Sequence, residues 1–560
     1  MQEDRLRVIR CPDTRCVECS ELAAQDCSKL SLQPRKGTKA KVIILESSRS
    51  FLHLGGLSGC TPTRPPWKGE GWESVYIGNQ EEFPDKNWCP VDIYLVGPYL
   101  SLYFSMASGN EIFHRSYPLV RTSLEYGLLQ KLSESIESEL QKKLGIRTSI
   151  SERLQQISDS ICKDILRSLP EINEVTRERI SRLVANRTTV LDPILPILLD
   201  DDVEEVYVDR PRKPVYFDHC RLGRCISEYE LRQDEVPRFT TLLRAESNLH
   251  LDRKNPSLKT DLKLFDMNLR ISASLPPLSP DGLHLEIRRA RKKPFTILDL
   301  ICNDTLTTEA AAALLLALGF RFNITVTGGP GTGKTTLLNA LDLDSPKTWR
   351  KIYIEDAVES RDLKNHHQVR FKVDPFDEIE SHFDKSAEIV KTLHRSPDYL
   401  ILGEIQTAEH SQALFQAIAA GLRAMQTCHS YSAASLVSRW TTGHGIDKSS
   451  MAMMDLIVTM VRPVPGESTR RVSEIVEVRR TVSEGVLRFT GLNTVYDYHS
   501  SQNLKWAPDG AYLSYAREIG HENHFQAYNA LVDFLTHKLE TSVETGHDLG
   551  REIWSQVYPL

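Results

Sequence analysis

The stretch Gly328-Gly-Pro-Gly-Thr-Gly-Lys334-Thr335 constrains this chain more than any other. It satisfies G-x-x-x-x-G-K-[ST] without a mismatch, and its setting fits: 324–327 reads as a buried strand and Thr335-Thr-Leu-Leu-Asn-Ala as the opening of a helix. Glycines let backbone N–H groups turn inward, and a helix amino terminus adds positive potential, so such a loop can cradle phosphate oxygens. Lys334 would then neutralise β- and γ-phosphates, and the Thr335 hydroxyl would reach Mg²⁺. Gly328, Gly331, Thr332, Gly333, Lys334, Thr335 and Thr336 are therefore the nucleotide-binding candidates.

A phosphate cradle hydrolyses nothing unaided; an acid must organise the metal and a base must orient water. Tyr399-Leu-Ile-Leu-Gly-Glu404 reads as a buried strand ending on a carboxylate, a Walker B pattern. Ile354-Glu355-Asp356-Ala-Val-Glu359 places three further acids at the end of another strand. From Thr307 onward, apolar β-rich runs (NITVTG, KIYIED, YLILGE) alternate with amphipathic stretches, the texture of a parallel sheet covered by helices.

The bulk numbers narrow the class. With 560 residues there is room for roughly three or four domains. A hydrophobic share of 40%, a charged share of 26% and a net charge of −6 describe an ordinary soluble protein without a global pull toward nucleic acid. The longest apolar run, from Ala310 to Phe320, is about half of what a membrane-spanning helix needs. The start, MQEDRLRVIRCPD, mixes charges and lacks a signal-peptide core, so a cytosolic location is expected. In a reducing compartment Cys11, Cys16, Cys19 and Cys27 suggest a metal site, either Zn²⁺ or an iron–sulfur cluster; a ligand-free terminus is the alternative.

Upstream, 55–98 reads as irregular with short strands near Val75 and at 91–96. Helical spacing follows at Leu129, Leu132, Ile136 and Leu140, then at Leu154, Ile157, Ile161, Ile165 and Leu169, closed by Pro170. VEEVYVDRPRKPVYFD carries a hairpin pattern, and LRISASL and LHLEIRR read as strands joined by PPLSPDG. Phe525, Tyr528, Val532, Leu535 and Leu539 mark a late capping helix. The expected domains are 1–30, cysteine-rich; 31–184, an extension with helices; 185–290, a compact α/β domain; 291–500, the P-loop domain; and 501–560, a helical region.

The motifs LEIRR, GGPGTGKTTLLNAL, IEDAVE, SPDYLILGEI and TCHS stand in the order and spacing of the type II/type IV secretion ATPase superfamily, which this chain resembles. LRISASLPPLSPDG and ALFQAIAAG are similar to its archaeal pilus and archaellum branch. The resemblance covers roughly 185–480 and implies an α/β fold: a RecA-like P-loop NTPase domain preceded by a smaller α/β N-terminal domain. It implies ATP and Mg²⁺ as substrate and metal. Glu359 would be the general base, supported by Glu355 and Asp356; Glu404 would hold Mg²⁺ through water; His429 would sense the γ-phosphate. Arg270 and Arg288 match arginines that reach phosphates from the N-terminal domain, although a salt-bridged surface role is open for both.

The implied function is a motor, a homohexamer that drives a pilus-like filament, archaellum or type II-like secretion. It would act through a polytopic membrane platform protein at the inner face of the cell membrane, with filament or secretion subunits as partners and no direct nucleic acid. A conjugation or DNA-uptake ATPase and a weakly hydrolysing assembly regulator are the alternatives. Two departures bear on turnover: Leu422 stands where the family has histidine, and Gln406 where it has arginine.

Overall fold

The computed structural model describes 91–106, 111–143, 149–289, 294–356, 358–360, 362–363, 365–374, 383–499, 505–518 and 524–540, together with strand backbone at 7–10, 43–48, 51–55, 72–76 and 88–90. The N-terminal cysteine tetrad lies outside the described residues. The chain divides into two units, Met1–Lys292 and Lys293–Leu560.

In the first unit a nine-stranded sheet runs Ser257–Leu264, Met267–Ser274, His284–Arg289, Val203–Val208, Pro214–His219, Gly223–Glu230, Ile112–Pro118, Tyr99–Met106, Trp88–Val96. Its strands pair antiparallel except Gly223–Glu230 with Ile112–Pro118, which is parallel and joins segments far apart in sequence. Strict alternation buries one face: in Met267–Ser274, Met267, Leu269, Ile271 and Ala273 point inward. The helices Ile150–Ser168 and Glu174–Arg187 share that core through Leu154, Ile161, Ile165, Ile180, Leu183 and Val184. Ser149 starts the first of them with a reciprocal cap: its hydroxyl accepts from Glu152 N–H while the Glu152 carboxylate accepts from Ser149 N–H. The sheet reaches back past 185 to Trp88, so residues of the expected extension and of the expected compact domain share one core.

The second unit has eight strands in the order His367–Lys372, Arg350–Glu355, Tyr399–Ile405, Ala424–Cys428, Ile324–Gly328, Leu456–Val461, Arg471–Ser483, Val486–Asp497. The first six are parallel, and the last two form an antiparallel edge. Both faces are covered, so the central strands are buried along almost their whole length. One face carries the helices Ile297–Cys302, Thr308–Gly319, Ala511–Glu518 and His524–Glu540; the other carries Lys385–Lys391, Ala408–Ala419 and Ala433–Ser438. The long apolar run at 310–320 is therefore a core helix, buried from Ala310 through Gly319. Among the described residues no helix is long and apolar enough to cross a membrane.

Parallel pairing has a direct consequence for chemistry. Every parallel strand delivers its carboxyl end to one edge, where α/β sheets bind ligands. That edge carries Gly328, Glu355 and Glu404, with His429 following Cys428.

Candidate nucleotide-binding site

At the end of its strand Gly328 has φ 153°, and a Cβ there would lie 2.4 Å from the Met460 carbonyl oxygen and 2.6 Å from Thr332 Oγ1. No other residue fits without moving backbone. Gly331 and Gly333 follow with φ of 67° and 90°, closing the loop onto the helix Lys334–Leu343. That helix starts with no side-chain cap, so its first N–H groups remain directed at the loop. Thr332 Oγ1 donates to Gly329 O at 2.9 Å and Lys334 Nζ to the same oxygen at 2.8 Å. Lys334 is buried; Thr335 and Thr336 are half-buried in the first turn. These features fit a triphosphate: a glycine cradle that a Cβ would fill, an uncapped helix start, and an ammonium inside the loop.

Glu404 ends the strand Tyr399–Ile405. Its Oε1 meets His429 Nε2, and its Oε2 accepts from Gln406 Nε2 at 2.9 Å. Burial pushes the carboxyl up, but the bonds from His429 and Gln406 and the charges of His429 and Lys334 outweigh it and hold the group at about 2. His429 Nδ1 stands 3.2 Å from Lys334 Nζ. The same nitrogen lies 3.3 Å from the Gly328 carbonyl oxygen, so the ring sits between the loop and the carboxylate. One chain thus runs from P-loop lysine through histidine to the Walker B carboxylate.

The acidic box divides its labour. Glu355 is buried and turned onto its own loop: Oε1 accepts from Glu359 N–H at 3.1 Å and Ser360 N–H at 2.8 Å, and Oε2 from Ser360 Oγ at 2.5 Å. Burial raises its carboxyl pKa, these bonds oppose that, and the Glu359 charge adds to it. Glu355 thereby shapes the loop that presents Glu359, whose side chain is half-buried. The Glu359 carbonyl accepts from Asn339 Nδ2 at 3.3 Å, tying the loop to the P-loop helix. Asp356 Oδ1 lies 2.5 Å from Lys385 Nζ.

Several contributors escaped the sequence reading. Lys385 also donates to Glu404 O at 2.8 Å. Arg439 donates to His429 O at 2.6 Å and Gln406 O at 2.7 Å, clamping two adjacent strand ends. Arg470 Nε donates to Gly331 O at 3.0 Å from the connection between Leu456–Val461 and Arg471–Ser483. In sequence each resembles a surface cation, and only the fold brings it here.

The two departures now have places. Gln406 keeps contact with Glu404 through its amide. Leu422 precedes the strand Ala424–Cys428, at the edge opposite the site and roughly 17 Å from it by strand length. There it packs against the apolar core. A histidine missing from that end removes no group from the phosphate side.

In the first unit Arg270 and Arg288 are cross-strand partners, flanked by Asp261 opposite Arg270 and Glu205 opposite Arg288. Arg288 Nε lies 3.6 Å from Glu205 Oε1. The four side chains form a charged row across four strands. Among the described residues, the one group with metal-ligand proximity is Asp200, Asp202 and His219. Its atoms are engaged: Asp200 Oδ2 accepts from the Tyr94 and Tyr103 hydroxyls, Asp202 Oδ2 from Arg221, and His219 Nδ1 from two backbone N–H groups. It reads as a buried hydrogen-bond network.

Fold and site define a P-loop nucleotide-binding protein of the α/β class. The family model "Type II/IV secretion system protein" matches residues 232–486, and the chain belongs to that family. An uncharacterized protein of Methanocaldococcus jannaschii is 32% identical over 219 residues, 38% of this chain and 30% of its own length. A second from the same organism is 32% identical over 182 residues, 32% of this chain and 67% of its own. The VirB11 ATPase of the Brucella suis type IV secretion system, solved with sulphate, is 22% identical; the match covers 52% of this chain and 95% of that one, with a TM-score of 0.26. The chain thus spans less than a third of the first relative.

Proposed function

We propose that this chain hydrolyses ATP and converts the cycle into mechanical work for a filament-assembling or secreting machine of the type II/IV class. The observation that carries the hydrolytic reading is the Lys334–His429–Glu404 chain at the ends of neighbouring strands, beside a P-loop only glycine can form.

The residues divide the reaction between them. The loop N–H groups and Lys334 bind the β- and γ-phosphates, and the charge of Lys334 offsets that building on the leaving ADP oxygen. Glu359 orients the attacking water and takes its proton as the oxygen–phosphorus bond forms and the β–γ bridge breaks. Mg²⁺, held by the Thr335 hydroxyl and through water by Glu404, would supply further neutralisation of phosphate charge. Glu355 fixes the loop bearing Glu359, while His429 links the γ-phosphate region to Glu404 and Arg439. Arg270 and Arg288 would add phosphate contacts from the first unit, in a hexamer of identical subunits acting on a membrane platform protein and its filament or secretion subunits. Family membership supports the machine class, and the 32% identical relatives of Methanocaldococcus jannaschii fit an archaeal branch of it.

The base assignment is tested with Glu359→Gln in full-length protein. It should bind a fluorescent ATP analogue as tightly as wild type yet turn over at least about a hundredfold more slowly. An unchanged rate would remove Glu359 from the role.

A further inference from the structure

Lys385 carries an ammonium into the interior of the second unit with only 1% of its side chain exposed. Burying a cation is costly unless partners compensate it, so a lysine in such a place must have them. It has two: Asp356 Oδ1 at 2.5 Å and the Glu404 carbonyl at 2.8 Å. One belongs to the acidic box and the other to Walker B.

The location matters as much as the contacts. The strands Arg350–Glu355 and Tyr399–Ile405 pair in register only as far as Ile354 opposite Leu402. Beyond that point Tyr399–Ile405 shifts register against its other neighbour, between Leu402 and Glu404. Gly403 sits at the shift, where a Cβ would lie 3.6 Å from Glu355 Cα. The ladder between the two acid-bearing strands therefore stops one residue before Glu355 and two before Glu404. Lys385, from the helix Lys385–Lys391, spans the gap where no ladder bond does. Gln406, two residues past Glu404, brings only a neutral amide to this cluster.

We propose that Lys385 is a positioning residue for the hydrolysis inferred above: it ties the acidic-box loop to the Walker B strand and supplies, from the helix Lys385–Lys391, the positive charge that position 406 lacks. Asp356 is its anchor on the loop. With the tie intact, Glu359 and Glu404 keep one fixed separation. Without it, the loop at 356–360 is held mainly by Glu355 and by the Asn339 bond to the Glu359 carbonyl.

The inference rests on the hydrolytic reading, so its test needs one readout that does not. In full-length Lys385→Met, hydrogen exchange at 355–360 should rise while the P-loop helix 334–343 stays protected. The kcat should fall by about tenfold or more, with KM and affinity for a fluorescent ATP analogue within about twofold. The double variant Lys385→Met with Gln406→Arg should regain most of the lost kcat, because it returns a cation from the other side of the cluster. A purely structural lysine would not be replaced by an arginine at 406. Should Lys385→Met fail to fold, Asp356→Asn, which keeps Lys385 on the Glu404 carbonyl, must show the same local exchange and the same split of kcat from KM. Unchanged exchange at 355–360, or a kcat within about twofold of wild type, overturns the proposal, as does a kcat that falls in step with affinity. If wild type itself shows no turnover, hydrolysis fails, and the exchange result alone decides the tie.

Discussion

Lys334 Nζ and His429 Nδ1 stand 3.2 Å apart although 95 residues separate them in the chain. The strand Ile324–Gly328 lies beside Ala424–Cys428, and both point their carboxyl ends the same way. The contact gives the P-loop a direct connection to Walker B, because the other ring nitrogen of His429 meets Glu404. His429→Ala leaves the cradle intact and cuts the link. Nucleotide affinity should change little, while kcat falls by about ten- to a hundredfold, the worth of one charge-assisted bond. Equilibrium binding beside steady-state kinetics separates the two.

Glu404 should remain charged far into acid. Burial opposes its ionisation, but His429, Gln406 and Lys334 hold its pKa at about 2. The unfolded value lies near 4.3, so the group is depressed on folding. Its stability contribution is full above the ordinary carboxylate range and fades as pH falls toward about 2. The difference in melting temperature between wild type and Glu404→Gln should accordingly hold from about pH 7 to pH 5 and shrink below about pH 4.

Gly328 admits no side chain. At φ 153° an added methyl meets the Met460 carbonyl at 2.4 Å, and backbone on one side must yield. Gly328→Ala should destabilise the protein by about 1–3 kcal/mol in chemical denaturation and lose nucleotide binding with the deformed loop. Gly421→Ala is the control for backbone strain alone, since φ is 95° there and a Cβ would meet nothing within 4 Å.

Arg439 holds His429 O and Gln406 O with the two arms of one guanidinium, at 2.6 and 2.7 Å. A lysine ammonium is one compact group and lacks the two spaced arms that reach these carbonyls. Arg439→Lys should therefore cost about 1.5–3 kcal/mol of stability, the worth of one such bond, and lower kcat more than it raises KM. Thermal melts and Michaelis profiles check the two parts.

The motifs were legible because each is contiguous and ends a strand. Gly328–Thr335, Glu355–Glu359 and Glu404 carry their chemistry within a few residues, and parallel pairing gathers strand ends at one edge. The alternating textures at 324–328, 350–355 and 399–405 likewise gave the sheet of the second unit. Lys385, Asn339 and Arg439 were not legible. KSAEIVK reads as an amphipathic surface turn, and nothing local says that its first lysine is enclosed. Each touches partners 10 to 33 residues away, a distance only tertiary structure closes. The first unit shows the same limit: its hairpins could be read, but the parallel pairing of Gly223–Glu230 with Ile112–Pro118 is non-local and left no signature.

The most direct test of the account is steady-state phosphate release by full-length protein with Mg²⁺ and ATP, comparing wild type with Lys334→Ala and Glu404→Gln. The account predicts measurable turnover for wild type, loss of both binding and turnover for Lys334→Ala, and retained binding with a rate at least about a hundredfold lower for Glu404→Gln. A wild type that binds ATP yet releases phosphate no faster than the two variants would contradict it.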